Sequence, residues 1–195
     1  MKAIVKQLVH GIAMLLMLPF TLTYFVLSLL LKGASKDALF ASYSQLLSLF
    51  PGKTGAYLRS GFYSLVMQNF HPNAHTSFAT LFSQLDTELC AGVYVGPQCN
   101  IGKCIIGQDT LLGSGVHIMS GKQQHSFEDA TKPIREQGGV FAKVTIGQNC
   151  WIGNAALIMA NVGDNCIVAA GSVVINEVPE MSIVAGNPAK VIKKR

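Results

Sequence analysis

Charge is what this chain of 195 residues has least of. Only 13% of its residues are Asp, Glu, Lys or Arg, while 50% are apolar, against about 25% charged in an ordinary globular domain. So little charge beside so much apolar character excludes a disordered chain and a coiled coil. It leaves membrane contact or an unusually repetitive core. Paired cysteines are also missing. Cys90, Cys99, Cys104, Cys150 and Cys166 form no CxxC pair and no Cys/His cluster with zinc spacing, so they read as small buried residues in a reducing compartment, with no metal.

Acid is missing from the first 75 residues. They carry Lys2, Lys6, Lys32, Lys36, Lys53 and Arg59 against Asp37 alone, whereas residues 76–195 carry nine basic and nine acidic groups. The whole net charge of +5 therefore lies beside the most apolar stretch of the chain. A basic flank next to an apolar run suits anionic lipid, and nucleic acid is not an expected partner, because no aromatic residues are interleaved with arginine.

From Gly11 to Leu31 there is no charge in 21 residues, enough to cross a hydrocarbon core as a helix of about 20 residues. The run is too long for a cleaved signal peptide, and Lys32 stands where a small residue should precede the cut. A straight span would put Lys32, Lys36, Lys53 and Arg59 in the cytoplasm. A hairpin bent at Pro19 would keep Lys2 and Lys6 on that same side, and this arrangement is preferred. Asp37 to about Val66 predicts amphipathic helices broken at Pro51-Gly52, lying on the membrane or packed on the next domain. Residues 1–75 thus read as a membrane-associated helical region. His71 and His75 are spaced i, i+4, but Pro72 between them makes them loop histidines.

The chain from residue 76 keeps a different period. Aliphatics fall at Leu89, Val95 and Ile101, at Ile106, Leu112 and Ile118, at Ile146, Ile152 and Ile158, and at Val162, Val168 and Val174. The step within each group is six. Glycine follows seven of these twelve, and Cys99, Thr110, Val116, Cys150, Ala156, Cys166 and Ser172 fill a fifth place that calls for a small or β-branched side chain. Such a repeat predicts a triangular coil, mainly β, in which each unit makes one short strand and one turn and stacked coils pair in parallel. The gap from Ile118 to Ile146 is no multiple of six, so residues 120–143 are expected to leave the coil as a functional loop. Residues 179–195 form a C-terminal tail.

The motifs VTIGQNCWIG (144–153), AAGSVV (169–174) and IVAGNPAKVIKKR (183–195) resemble the left-handed β-helix acyltransferases of the hexapeptide-repeat family over about residues 89–195. SGKQQH (120–125) beside a membrane-associated N-terminus resembles the members of bacterial surface-polysaccharide synthesis. The resemblance implies a left-handed parallel β-helix and a homotrimer taking acetyl-CoA in a groove between prisms. It implies His125 as general base, Asn154 and Ala170 along the pantetheine arm, Lys190 and Lys193 at the phosphates, and Trp151 beside the cofactor, with a core or interface tryptophan as the alternative. Glu128 or Asp129 would orient His125. Tyr94, Gln98 and Asn100 do not match the family's acceptor contacts, so the substrate-binding residues stay unassigned, and His117 is expected to be exposed without a role. The expected activity is O-acetylation of a sugar hydroxyl in a surface polysaccharide or its lipid-linked precursor, at the cytoplasmic face of the inner membrane. The alternatives are N-acetylation of a nucleotide-linked amino sugar, an idle membrane scaffold, and a zinc carbonic anhydrase, which two coil histidines do not support.

Overall fold

A computed structural model describes residues 2–195. From Asn69 onward the chain winds as a three-sided parallel β-solenoid. The first face stacks Phe70, Leu89, Ile106, Ile146, Val162 and Val178. The second stacks Thr76, Val95, Leu112, Ile152, Val168 and Val184. The third stacks Phe82, Ile101, Ile118, Ile158 and Val174. All of these side chains are buried, so the six-residue period is the core itself, closed by parallel pairing without helical crossovers.

The solenoid begins one turn before Leu89, where the aliphatic repeat starts. Phe70, Thr76 and Phe82 point inward in that first turn. Two aromatics and a threonine, none followed by glycine, stand there in place of the aliphatic-glycine step. His75 therefore lies in a strand rather than a loop, its ring stacked on Tyr94 at 5.2 Å and 2°. The fifth-place residues, Cys99, Cys150 and Cys166 among them, are buried and the thiols are free. Burial pushes the Cys99 thiol up to about 11.

Three helices precede the coil: α1 (Lys2–Ser28), α2 (Ala34–Ser48) and α3 (Gly52–Val66). The expected break at Pro51-Gly52 is present, with Pro51 as the N-cap of α3. Pro19 lies inside α1 without interrupting it. Of the two places offered for residues 37–66, the helices take the one against the next domain. Tyr63 packs edge-on against the inward Phe82 at 5.1 Å and is tilted on Phe70 at 5.6 Å. Arg59, fully buried, donates to the carbonyls of Leu47 (3.2 Å), Phe50 (2.7 Å) and Thr76 (3.0 Å). Ser44 Oγ accepts from Phe82 N at 2.9 Å, and Asp37 Oδ1 accepts from Leu85 N at 2.9 Å. A solenoid needs its terminal apolar coil covered, and α2 and α3 cover it here. At the other end an antiparallel hairpin, Ser182–Gly186 with Ala189–Lys194, closes the second face.

Candidate functional site

Residues 120–143 leave the corner between the third and first faces as an ordered arm. Its two limbs are joined by backbone bonds from Ala142 N to Ser120 O (3.0 Å), Val140 N to Gln123 O (2.7 Å) and Ser126 N to Gly138 O (3.0 Å). At the tip Gln137 accepts from Asp129 N and donates to the Asp129 and Lys132 carbonyls. At the root Lys143 bridges Asp86 and Glu88, while Lys103 pairs with Asp86 at 3.1 Å. The hydrogen bond from Lys143 holds the Asp86 carboxyl below its usual range. Burial opposes the charge on Lys143, but the two carboxylates outweigh it and raise its pKa.

His125 stands on this arm, exposed to solvent. It lines a cleft of about 350 Å³ with Lys122, Gln123, Phe127, Glu128 and Val140. A side chain at position 139 opposite would collide with the Gln124 carbonyl, so glycine there lets the limbs close beside His125. Neither acid offered as its orienting group is turned to that task. Glu128 accepts from Phe127 N, and Asp129 accepts from Thr131 and pairs with Lys132. Carboxylates next to backbone N–H groups readily form such local bonds, while Glu128 still lines the cleft with His125.

Beside the arm a groove of about 280 Å³ is lined by Ser83, Asn100, His117, Gln124, Phe141 and Leu157. His117 is exposed on the third face, as its outward register requires, yet the arm brings Gln124 and Phe141 to the same groove. Its position two residues before the coil breaks was the available signal. Of the three unmatched residues, only Asn100 faces this groove. Tyr94 lies on the second face against His75, and Gln98 turns a corner at φ 60.

Asn154 and Ala170 are exposed on successive coils at the corner between the second and third faces, where Gly171 N donates to Asn154 O at 2.8 Å. Asn154 Oδ1 accepts from Ser114 N at 3.1 Å, tying that corner to the coil before it. Trp151 projects outward from the second face, 56% exposed, rather than into the core, and pairs in register with Leu111 and Ile167. Lys190 and Lys193 are exposed on the last strand, opposite Ala185 and Ile183. The structure thus brings Asn154 and Ala170 together on one edge, while the arm with His125 leaves from another, the third face lying between. Among the described residues no group of three or more His, Cys, Asp or Glu is arranged to hold a metal ion.

Fold and site together define a capped three-sided β-solenoid with a histidine-bearing arm. The family model described as the hexapeptide repeat of succinyl-transferase matches residues 143–175. The chain is 48% identical over 96 residues to a Dictyostelium discoideum protein that carries an acetyltransferase name, covering 46% of each. It is 33% identical over 122 residues to a chloramphenicol acetyltransferase of Klebsiella aerogenes, covering 54% of this chain and 58% of that one. The chain spans about half the length of these curated relatives. Among solved structures, a maltose O-acetyltransferase from Clostridium difficile superposes with a TM-score of 0.66 at 22% identity, covering 83% of this chain and 87% of that one. A galactoside acetyltransferase in complex with coenzyme A gives 0.58 at 21% identity, covering 85% and 84%. The fold is shared with these two, and the chain is similar in sequence to hexapeptide-repeat acetyltransferases.

Proposed function

We propose that this protein is an acetyl-CoA-dependent O-acetyltransferase acting on a sugar hydroxyl of a surface polysaccharide or its lipid-linked precursor. The observation that carries this reading is the exposed His125 on an arm fixed by paired backbone bonds, above a cleft and beside a groove of mixed polar and apolar lining. The imidazole, acting as general base, takes the proton of an attacking hydroxyl. The oxygen forms its bond to the acetyl carbon, the carbon–sulfur bond breaks, and the proton passes to the sulfur of the departing coenzyme. Exposed corner backbone at Asn154 and Ala170 suits an extended pantetheine chain, and Lys190 and Lys193 suit its phosphates as point charges. Base and corner lie on different edges of one prism, which supports a homotrimer of left-handed coils with the reaction centre between copies. The relatives named for maltose, galactoside and chloramphenicol acetylation support a hydroxyl acceptor. An N-terminal apolar segment supports an acceptor held at the cytoplasmic face of the inner membrane.

The test is transfer of labelled acetyl from acetyl-CoA to membranes containing lipid-linked glycans, by the intact chain and by His125→Ala. Alkali-labile label in the glycan, lost in the variant, is expected. Alkali-stable label in a soluble amino sugar would replace the reading with N-acetylation, and equal transfer by the variant would remove His125 from the chemistry.

A further inference from the structure

We propose that α1 is an in-plane anchor that lies along an anionic lipid surface, neither crossing the bilayer nor turning back within it. The proposal rests on the membrane attachment in the reading above and not on the acetyl-transfer chemistry. One face of α1, formed by His10, Ala13, Met17, Thr21, Tyr24 and Ser28, is buried along most of the helix. Its neighbours are α3 and α2, and α3 is fastened to the first coil through Arg59 and the Thr76 carbonyl. A helix glued along its length to such partners cannot cross hydrocarbon alone. It would take Lys53, Arg59 and the coil's end with it, at a prohibitive desolvation cost. Nor does it fold back, since the helix runs unbroken through Pro19.

The opposite side of α1 is apolar and open. Leu8, Ile12, Leu15, Leu16, Leu22 and Val26 are all more than half exposed. At 100° and 1.5 Å per residue, the exposed large apolar residues of α1, Ile4 to Leu27, cover roughly 200° of the wheel over about 35 Å. No charged residue lies in that arc, and Leu29 and Leu30 continue it, 82% and 87% exposed. This is the surface of an interfacial helix.

Charge chooses lipid over a second copy. Lys6 and Lys53 meet at one pocket near the start of α1, and Lys32 and Lys36 follow its end. The first acid, Asp37, already accepts from Leu85 N. Two α1 surfaces paired in parallel would bring the Lys32 and Lys36 of both copies together without carboxylates between them. Anionic headgroups would instead meet Lys32 and Lys36 where the arc ends, while Lys6 stands on the α3 side of the helix.

The experiment uses the full chain and sealed vesicles of phosphatidylcholine, with and without phosphatidylglycerol. Flotation is expected with the anionic vesicles, falling on neutral ones and in high salt. Leu15→Lys and Leu22→Lys, both at exposed positions, should each lower the bound-to-free ratio roughly tenfold while leaving the melting temperature unchanged. Lys6→Cys and Lys32→Cys, each made in a Cys90→Ser background because the other four thiols are buried, should both react with an impermeant maleimide added outside. Labelling of one end only would mean a span and overturn the proposal. Equal flotation on neutral vesicles would overturn the anionic preference, and absence of flotation with self-association through α1 would assign the face to a second copy. Acetyl transfer measured in detergent is read separately, so that reading survives or fails on its own.

Discussion

The helical region and the coil bury apolar side chains by different rules. In the coil each inward position is shielded by the turns above and below it, so Leu112, Ile146, Ile152 and Ile158 are fully buried while their strand neighbours face out. The helices have no such stacking. α2 and α3 cover one open end of the coil, and α1 covers them, which leaves most of α1's own apolar surface in contact with nothing. A repeat satisfies its core locally, whereas a cap satisfies only the face it covers. The arm belongs to neither class, since backbone pairing and its root ion pairs hold it with little apolar burial.

If that contrast holds, substitutions should sort by region. The largest effect is expected at the arm, where His125→Ala should lower kcat/KM for acetyl transfer by about 10²–10⁴-fold. The melting temperature should not move, because the ring is exposed. Next, Ile152→Ala in the coil should cost about 3–4 kcal/mol in chemical denaturation through the cavity it leaves, whereas Leu15→Ala on α1 should cost under about 0.5 kcal/mol. A large loss for Leu15→Ala would mean that the exposed arc carries packing. Arg59→Ala should cost about 3 kcal/mol and free α3 from the coil, seen as faster hydrogen exchange in α1–α3 with the coil still protected. Arg59→Lys should not restore it, since one ammonium cannot reproduce the fork that reaches three carbonyls.

The smallest effect separates the regions by pH. Burial lowers the pKa of His10, with Lys6 adding to it, and burial likewise lowers that of His75, helped by Arg59 and Lys6. The unfolded chain then takes up protons first as pH falls through 6.5, so this stability is full above 6.5 and is lost below it. Asp86 is depressed from 3.8 by Lys143, so its contribution persists until pH drops below that value. Hydrogen exchange at pH 5.5 against 7.5 should therefore loosen the helical end, where both histidines sit, and leave the arm root unchanged.

Much of this was legible in the residues. The six-step aliphatic pattern from Leu89 specified a three-sided coil because every sixth side chain must enter the same prism. The phase gap before Ile146 marked the arm, and Pro51-Gly52 marked the helix boundary. The first turn was not legible, because Phe70 and Phe82 stand where the repeat has aliphatics and pack on Tyr63 of the helices above. The bonds that Glu128 and Asp129 make to backbone N–H groups one and two residues away were not legible, because the sequence does not say which neighbour a carboxylate will take.

By itself, then, the sequence determined the coil, the arm's position along it and the apolar character of α1, because periodicity and composition act between near neighbours in the chain. Only the tertiary structure decided that Arg59 joins the cap to the coil, that His117 shares a groove with the arm, and which side of α1 stays open. Those contacts join residues 17 or more positions apart, Arg59 with Thr76, His117 with Phe141 and His10 with Ser60, and which groups meet at such separations depends on how helices and coils pack, which no local pattern encodes.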